Sequence, residues 1–105
     1  MTTPRITLDQ WAALVAVVEQ AAYGPASARL HRTQSTVTYT IKRLEEQLGL
    51  KVFERQGRRA ALTPAGQVLY RRGKSLLDDA ARLERSAAGL AQGWEAEVRL
   101  AVEAI

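Results

Sequence analysis

Hydroxyl, amide and cationic side chains crowd into one segment of this chain: Thr33, Gln34, Ser35, Thr36, Thr38 and Tyr39, followed by Lys42 and Arg43. Such groups donate and accept hydrogen bonds or carry positive charge, which suits recognition of base edges and phosphates rather than bond-breaking. Gln34 can pair bidentately with adenine, while Ser35, Thr36 and Thr38 can donate, accept or touch a thymine methyl; Thr33 stands beside them among the candidate DNA-binding residues. Lys42 and Arg43 would supply attraction to phosphate that is independent of sequence. Two of these residues have bland rivals. Tyr39 can bond a phosphate or lie along a sugar, and equally can be a partly packed surface aromatic; Arg43 can form a surface ion pair with Glu46. A second cationic cluster, Arg55, Arg58 and Arg59, falls within five residues and would repel itself unless solvated or facing an anion. Catalysis is not supported. There is no Cys, His31 is the only histidine, and no nucleophile and base pair, metal cluster or Gly-rich phosphate loop is present.

The elements that would position these groups follow from periodicity. Val37, Ile41, Leu44 and Leu48 recur at spacings of four, three and four, one apolar stripe of a helix. Ser35, Tyr39, Lys42 and Glu46 fall on the opposite arc, with Thr36 and Arg43 beside them, so the helix would enter a major groove by its N-terminal end. Thr33 caps that helix, and Gly49 ends it in a left-handed conformation. Upstream, Thr7-Leu8-Asp9-Gln10 has the form of a capping box, and Leu8, Trp11, Leu14, Val15 and Val18 continue a packing helix to about Gln20. A short second helix is expected over Pro25 to Leu30, with Gly24 as N-cap, and His31-Arg32 makes the turn into the third. Two helices joined so tightly form a helix-turn-helix.

Beyond Gly49 the period changes. Lys51-Val52-Phe53-Glu54 and Ala60-Ala61-Leu62-Thr63 read as a hairpin with Gln56-Gly57 in its loop, a wing tipped by the three arginines. Thr63-Pro64 then opens a long helix to about Gln92, close to 45 Å long at ~1.5 Å per residue. Leu69, Leu76, Leu83 and Leu90 are spaced by seven, and the companion heptad positions are Gly66, Gly73, Ala80, Ala87 and Trp94. So small a seam lets two helix backbones approach closely, and a helix this long should pair with its copy in a second chain, although Leu69 can pack onto the head. After Gly93-Trp94, the alternation in Glu97-Val98-Arg99-Leu100-Ala101-Val102-Glu103 argues for a strand. A lone terminal strand is not independently stable, so the chain reads as cut from a longer protein at the start of another domain.

The chain of 105 residues, 47% hydrophobic, can bury one small core. Its formal charge of +4 is unevenly placed: residues 1–63 hold nine Lys/Arg against five Asp/Glu, and residues 64–105 hold six of each. That is a cationic head on a neutral stalk. No apolar run is long enough to cross a bilayer and no signal-peptide core is present, which points to the cytoplasm and away from membranes.

The runs Ala26 to Thr38, Ile41 to Gly49, Val52-Phe53-Glu54-Arg55 and Leu62-Thr63-Pro64-Ala65-Gly66 together resemble the N-terminal domain of LysR-type transcriptional regulators, over nearly the whole chain. The resemblance implies a mainly α fold: a winged helix-turn-helix DNA-binding domain over residues 1–63, a linker or dimerisation helix over 64–94 that pairs antiparallel, and over 95–105 the start of a C-terminal effector-binding domain. It places the residues matching Gln34, Ser35, Thr36, Thr38, Tyr39 and Lys42 at double-stranded DNA and the wing arginine matching Arg55 at the minor groove. Ser35 stands where Pro is common in the family, Thr38 where Ser is, and Tyr39 where Arg often is; Tyr23-Gly24-Pro25 and Ser27 also depart from its pattern. The expected partners are double-stranded DNA and a second copy held through Leu69, Leu76, Ala80, Leu83, Ala87 and Leu90, with a tetramer open to a longer protein. No cofactor is expected in this segment, a small-molecule effector being expected in the missing C-terminal domain. The rival reading is a dimeric protein-interaction module whose winged head docks another protein.

Overall fold

A computed structural model describes residues 2–57 and 59–103, for residues 59, 60, 95 and 96 by their backbone alone. Four helices and one hairpin follow in the order α1 (Leu8–Gln20), α2 (Tyr23–Leu30), α3 (Gln34–Leu48), β1 (Phe53–Gln56), β2 (Arg59–Leu62) and α4 (Pro64–Glu103). The capping box at Thr7 is formed: the Gln10 N–H donates to Thr7 Oγ1 and the Thr7 N–H donates to Gln10 Oε1. Leu14 and Val17 of α1, Ala26 of α2, Val37, Ile41 and Leu44 of α3, and Val52 before the hairpin form the buried centre. Leu8, expected on the packing face of α1, is exposed. No helix among the described residues is long and apolar enough to cross a membrane.

Three boundaries differ from the sequence reading. The second helix starts at Tyr23 rather than Pro25, with Ala22 in extended conformation as its N-cap. Pro25 is then the third helical residue, where its missing N–H costs nothing because the first four N–H groups of a helix lack intrahelical partners. The hairpin is shifted, pairing Phe53 with Leu62, Glu54 with Ala61, Arg55 with Ala60 and Gln56 with Arg59, so Gln56 is a strand residue and the turn begins at Gly57, φ +66°. Finally, α4 does not stop near Gln92. Its 40 residues run through Glu103, about 60 Å at ~1.5 Å per residue, so the strand expected over 97–103 is helix. The alternation there is brief, and Trp94, Val98 and Val102 also share a helical spacing of four. With no second strand to pair, a continuing helix satisfies its own backbone.

The start of α4 is tied down tightly. Thr63 Oγ1 donates to the carbonyl of Lys51 (2.7 Å) and accepts from the Gly66 N–H (3.0 Å), while the Thr63 N–H donates to the carbonyl of Val52 (3.0 Å). Gly66 lies so close to that segment that a Cβ on it would sit 2.2 Å from the Val52 oxygen. Farther along, a Cβ on Gly73 would meet the indole of Trp11 at 3.3 Å. The two glycines assigned to an intermolecular seam therefore serve the packing of α4 on its own head, and Leu69 packs there as well.

A polar clasp closes the same contact. Glu19 of α1 accepts from Arg29 of α2 (2.7 Å), and from Tyr70 (2.9 Å) and Lys74 (2.7 Å) of α4. The Lys74 and Arg29 donors hold the Glu19 carboxyl down at about 2, against an ordinary 4.5, and Glu19 in turn raises the Lys74 ammonium. The carboxylate's contribution to stability is full above pH 4.5, declines as pH falls from there toward 2, and is gone below it. Glu19→Gln is expected to lower the melting temperature at pH 7, with the gap from wild type narrowing by pH 3; a gap that stays constant would show that the clasp does not stabilise the head. Gly66→Ala is expected to cost about 1–3 kcal/mol in thermal or denaturant unfolding. Gly89→Ala, where nothing lies within 4 Å of an added Cβ, should be neutral or stabilising, and equal losses at both glycines would discount the close approach.

Candidate nucleic-acid interface

The third helix turns one side inward and one outward. Val37, Ile41 and Leu44 are buried, Leu48 is half-buried, and Gln34, Ser35, Thr36, Tyr39, Lys42 and Arg43 are exposed. Thr33 caps the helix, its Oγ1 accepting from the Thr36 N–H (3.1 Å) and sharing a hydrogen bond with Thr36 Oγ1 (2.8 Å). Much of the capacity of these two hydroxyls is therefore spent inside the helix. At the other end, the N–H groups of Gly49 and Leu50 both donate to the carbonyl of Glu45, with Gly49 at φ +70°.

The remaining predicted residues separate by freedom. Ser35 and Gln34 project from the first turn, and the Gln34 amide oxygen lies over Gly24 of α2, 3.8 Å from where a Cβ there would be. Tyr39 is 68% exposed on the outer arc. Thr38 is half-buried on the flank of the helix, away from the outer arc. Lys42 is exposed, whereas Arg43 reaches Glu46 at 3.8 Å. That pair is exposed on both sides and worth little, so a phosphate can displace the carboxylate. Neutral hydrogen-bonding groups thus lead and cations follow, in the order needed by a helix whose N-terminal end enters a groove between two phosphate chains.

The wing stands beside this helix. Arg55 is exposed on β1, opposite Ala60, and Arg59 pairs through its backbone with Gln56; Arg58 lies outside the described residues. Phe53 meets Tyr23 of α2 edge to face, with ring centroids 6.2 Å apart, which joins the base of the wing to the helix-turn-helix. Burial pushes the Tyr23 phenol up, the Glu45 carboxylate adds to that and Arg55 opposes it.

Sequence reasoning missed two residues in this region. Glu45 Oε2 accepts from the N–H groups of Val52 (2.8 Å) and Phe53 (3.3 Å), so a side chain of the third helix holds the entry of the wing. Its position carried no local signal, since Arg43 also neighbours buried Leu44 and is exposed. The second is Gln10, whose amide donates to Gln47 Oε1 (2.6 Å) and so joins the start of α1 to the last turn of α3. A surface contact between residues so distant in sequence leaves no local pattern.

On α4, the residues expected at a dimer seam behave unevenly. Leu69 and Ala80 are half-buried, whereas Leu76 and Ala87 are exposed, as are Leu83 (72%) and Leu90 (75%). The apolar stripe continues through Trp94, Val98 and Val102, all exposed.

Residues 8–67 match the family described as "Bacterial regulatory helix-turn-helix protein, lysR family". Over 100 residues the chain is 34% identical to the probable HTH-type transcriptional regulator YhaJ of Escherichia coli, covering 95% of this chain and 34% of that protein. Among solved structures it is similar to the BenM_DBD/catB site 1 DNA complex (TM-score 0.78, 29% identity, 81% of this chain and 96% of that one). It is also similar to the CbnR_DBD-DNA complex (TM-score 0.75, 29% identity, 81% and 98%). The chain spans about a third of the length of the curated relatives it matches first. With its winged helix-turn-helix head and long fourth helix in place, this chain belongs to the LysR family of bacterial regulatory helix-turn-helix proteins.

Proposed function

We propose that this chain is the DNA-binding and dimerising part of a transcription regulator, and that it binds double-stranded DNA with α3 in the major groove and the wing directed at the minor groove. The observation that carries this reading is the outer arc of α3, where Gln34, Ser35 and Tyr39 stand free in front of Lys42 and Arg43. Gln34 and Ser35 supply base contacts, Tyr39 and Lys42 reach phosphate or sugar, and Arg43 exchanges Glu46 for phosphate. Thr33 and Thr36 serve first as the cap and offer what hydrogen-bonding capacity remains. Thr38 contributes from the flank, and Arg55 adds charge on the wing, with Arg58 and Arg59 following it in sequence. The BenM and CbnR DNA-binding domains, similar in fold along most of this chain, are solved as complexes with DNA, which supports the same use here.

The exposed leucines of α4 support a homodimer through that helix, with Leu76, Ala80, Leu83, Ala87 and Leu90 in the contact and Leu69 shared with the head. A further domain that binds a small-molecule effector fits the length by which the relatives exceed this chain. A regulator of this kind works on chromosomal DNA in the cytoplasm, as a dimer or a larger assembly.

Titrating salt against a duplex tests the reading. Affinity should fall roughly a thousandfold between about 50 and 200 mM salt for a dimer making about six phosphate contacts. Salt-insensitive or absent binding would return the head to a protein-docking role. On a preferred site, Gln34→Ala should cost about 1–3 kcal/mol of discrimination at one base position in each half-site, and unchanged specificity would remove Gln34 from the readout. For the dimer, Leu83→Asp should sediment as a monomer where the wild type sediments as a dimer; an unaltered mass would move the contact off this stripe.

A further inference from the structure

We infer that Glu45 is the positioning residue that sets the wing against the reading helix, so that a side chain of α3 governs what the wing contributes to DNA binding. This rests on the DNA-binding reading above. The Glu45 side chain is only 10% exposed, so it is not a solvated surface charge. One of its oxygens accepts from two successive backbone N–H groups, Val52 at 2.8 Å and Phe53 at 3.3 Å, and the other lies 3.9 Å from Lys51 Nζ. Phe53 is the first residue of β1, so the carboxylate fixes the point at which the strand begins. Arg55 lies two residues on, on the same side of the strand by the period of two, and it is exposed.

The wing is oriented from its base. Its strands are four residues each and pair only with one another, and a two-stranded hairpin alone is marginal. Its direction comes from its roots: buried Val52 with Gly66 against its carbonyl, Leu62 packed on the core, Thr63 bonded to Lys51 and Val52, Phe53 against Tyr23, and Glu45. Among these, Glu45 is the polar anchor that belongs to the helix that reads the groove. Its backbone carbonyl also takes the N–H groups of Gly49 and Leu50, so the same residue closes α3 and opens the wing.

Two readings of Glu45 differ in sign. If it were merely a negative charge near DNA, removing it would strengthen binding through reduced repulsion. As a positioning residue, it should weaken binding on removal, because Arg55 is no longer held at its contact. The test measures affinity for a mixed-sequence duplex with the full chain as wild type, Glu45→Ala, Arg55→Ala and the double variant. Each single variant should bind about threefold to tenfold more weakly, near the worth of one phosphate contact, and the double variant no worse than the weaker single. Tighter or unchanged binding by Glu45→Ala, or losses that multiply in the double variant, would overturn the inference while leaving DNA binding intact. A wild type that binds no duplex would remove both readings. If Glu45→Ala does not fold, two conservative variants decide. Glu45→Gln keeps an acceptor oxygen at full reach and should preserve slow amide exchange at Val52 and Phe53; Glu45→Asp keeps the charge but is one methylene short and should lose it. Equal protection in both would contradict the role.

Discussion

Burial of Val37, Ile41 and Leu44 along one side of α3 is the constraint on which the rest of the head depends. Each large apolar side chain removed from water stabilises the fold by about 1.5–3 kcal/mol, and these three meet Leu14 and Val17 of α1 across a single core. Rotating α3 about its axis would expose that stripe and bury polar side chains without partners. The inward face therefore determines which residues face outward, and the outer arc is fixed without any contact of its own. Ser35 and Tyr39 can be freely exposed because nothing in their own packing is asked to hold the helix.

The remaining elements attach to this core through close approaches and shared polar groups. Gly66 lets the first turn of α4 lie against the Val52 backbone, and Gly73 lets α4 pass over Trp11. Thr63 caps α4 while gripping the strand entry, Glu45 grips it from α3, and Glu19 gathers donors from α2 and α4. Each of these residues joins one element to another, so the wing, α3 and the start of α4 are tied to the same head. The distal half of α4 carries its apolar stripe in solvent, and a second copy of the same stripe is a natural occupant.

Much of this was legible in the residues. The capping box at Thr7, the Thr33 cap, the Gly49 terminus and the 3.6-residue stripe of α3 are local signals with local physical causes, and they stand where the spacing puts them. The entry to α2 was misplaced because Pro25 is tolerated anywhere among the first helical residues, so it does not mark the first one. The end of α4 was misread because alternation over seven residues fits strand and helix alike, and pairing decides between them. Gly73 looked like part of an intermolecular seam because heptad spacing does not say which chain supplies the neighbour. Trp11, which does, lies 62 residues away in sequence. Gln10 meets Gln47 across a comparable gap, and Glu45, only a few residues from Val52 and Phe53, reaches them because the chain turns back after Gly49.

Selecting bound duplexes from a random pool tests the central claim most directly, since it asks whether the outward arc of α3 reads sequence and whether α4 presents two copies of it. The expected product is an enriched pseudo-palindrome whose two half-sites keep a constant spacing, about one helical turn or a multiple of it between centres. An unenriched pool would contradict base readout by α3, and a single asymmetric motif without a repeated half would contradict its presentation as a symmetric pair.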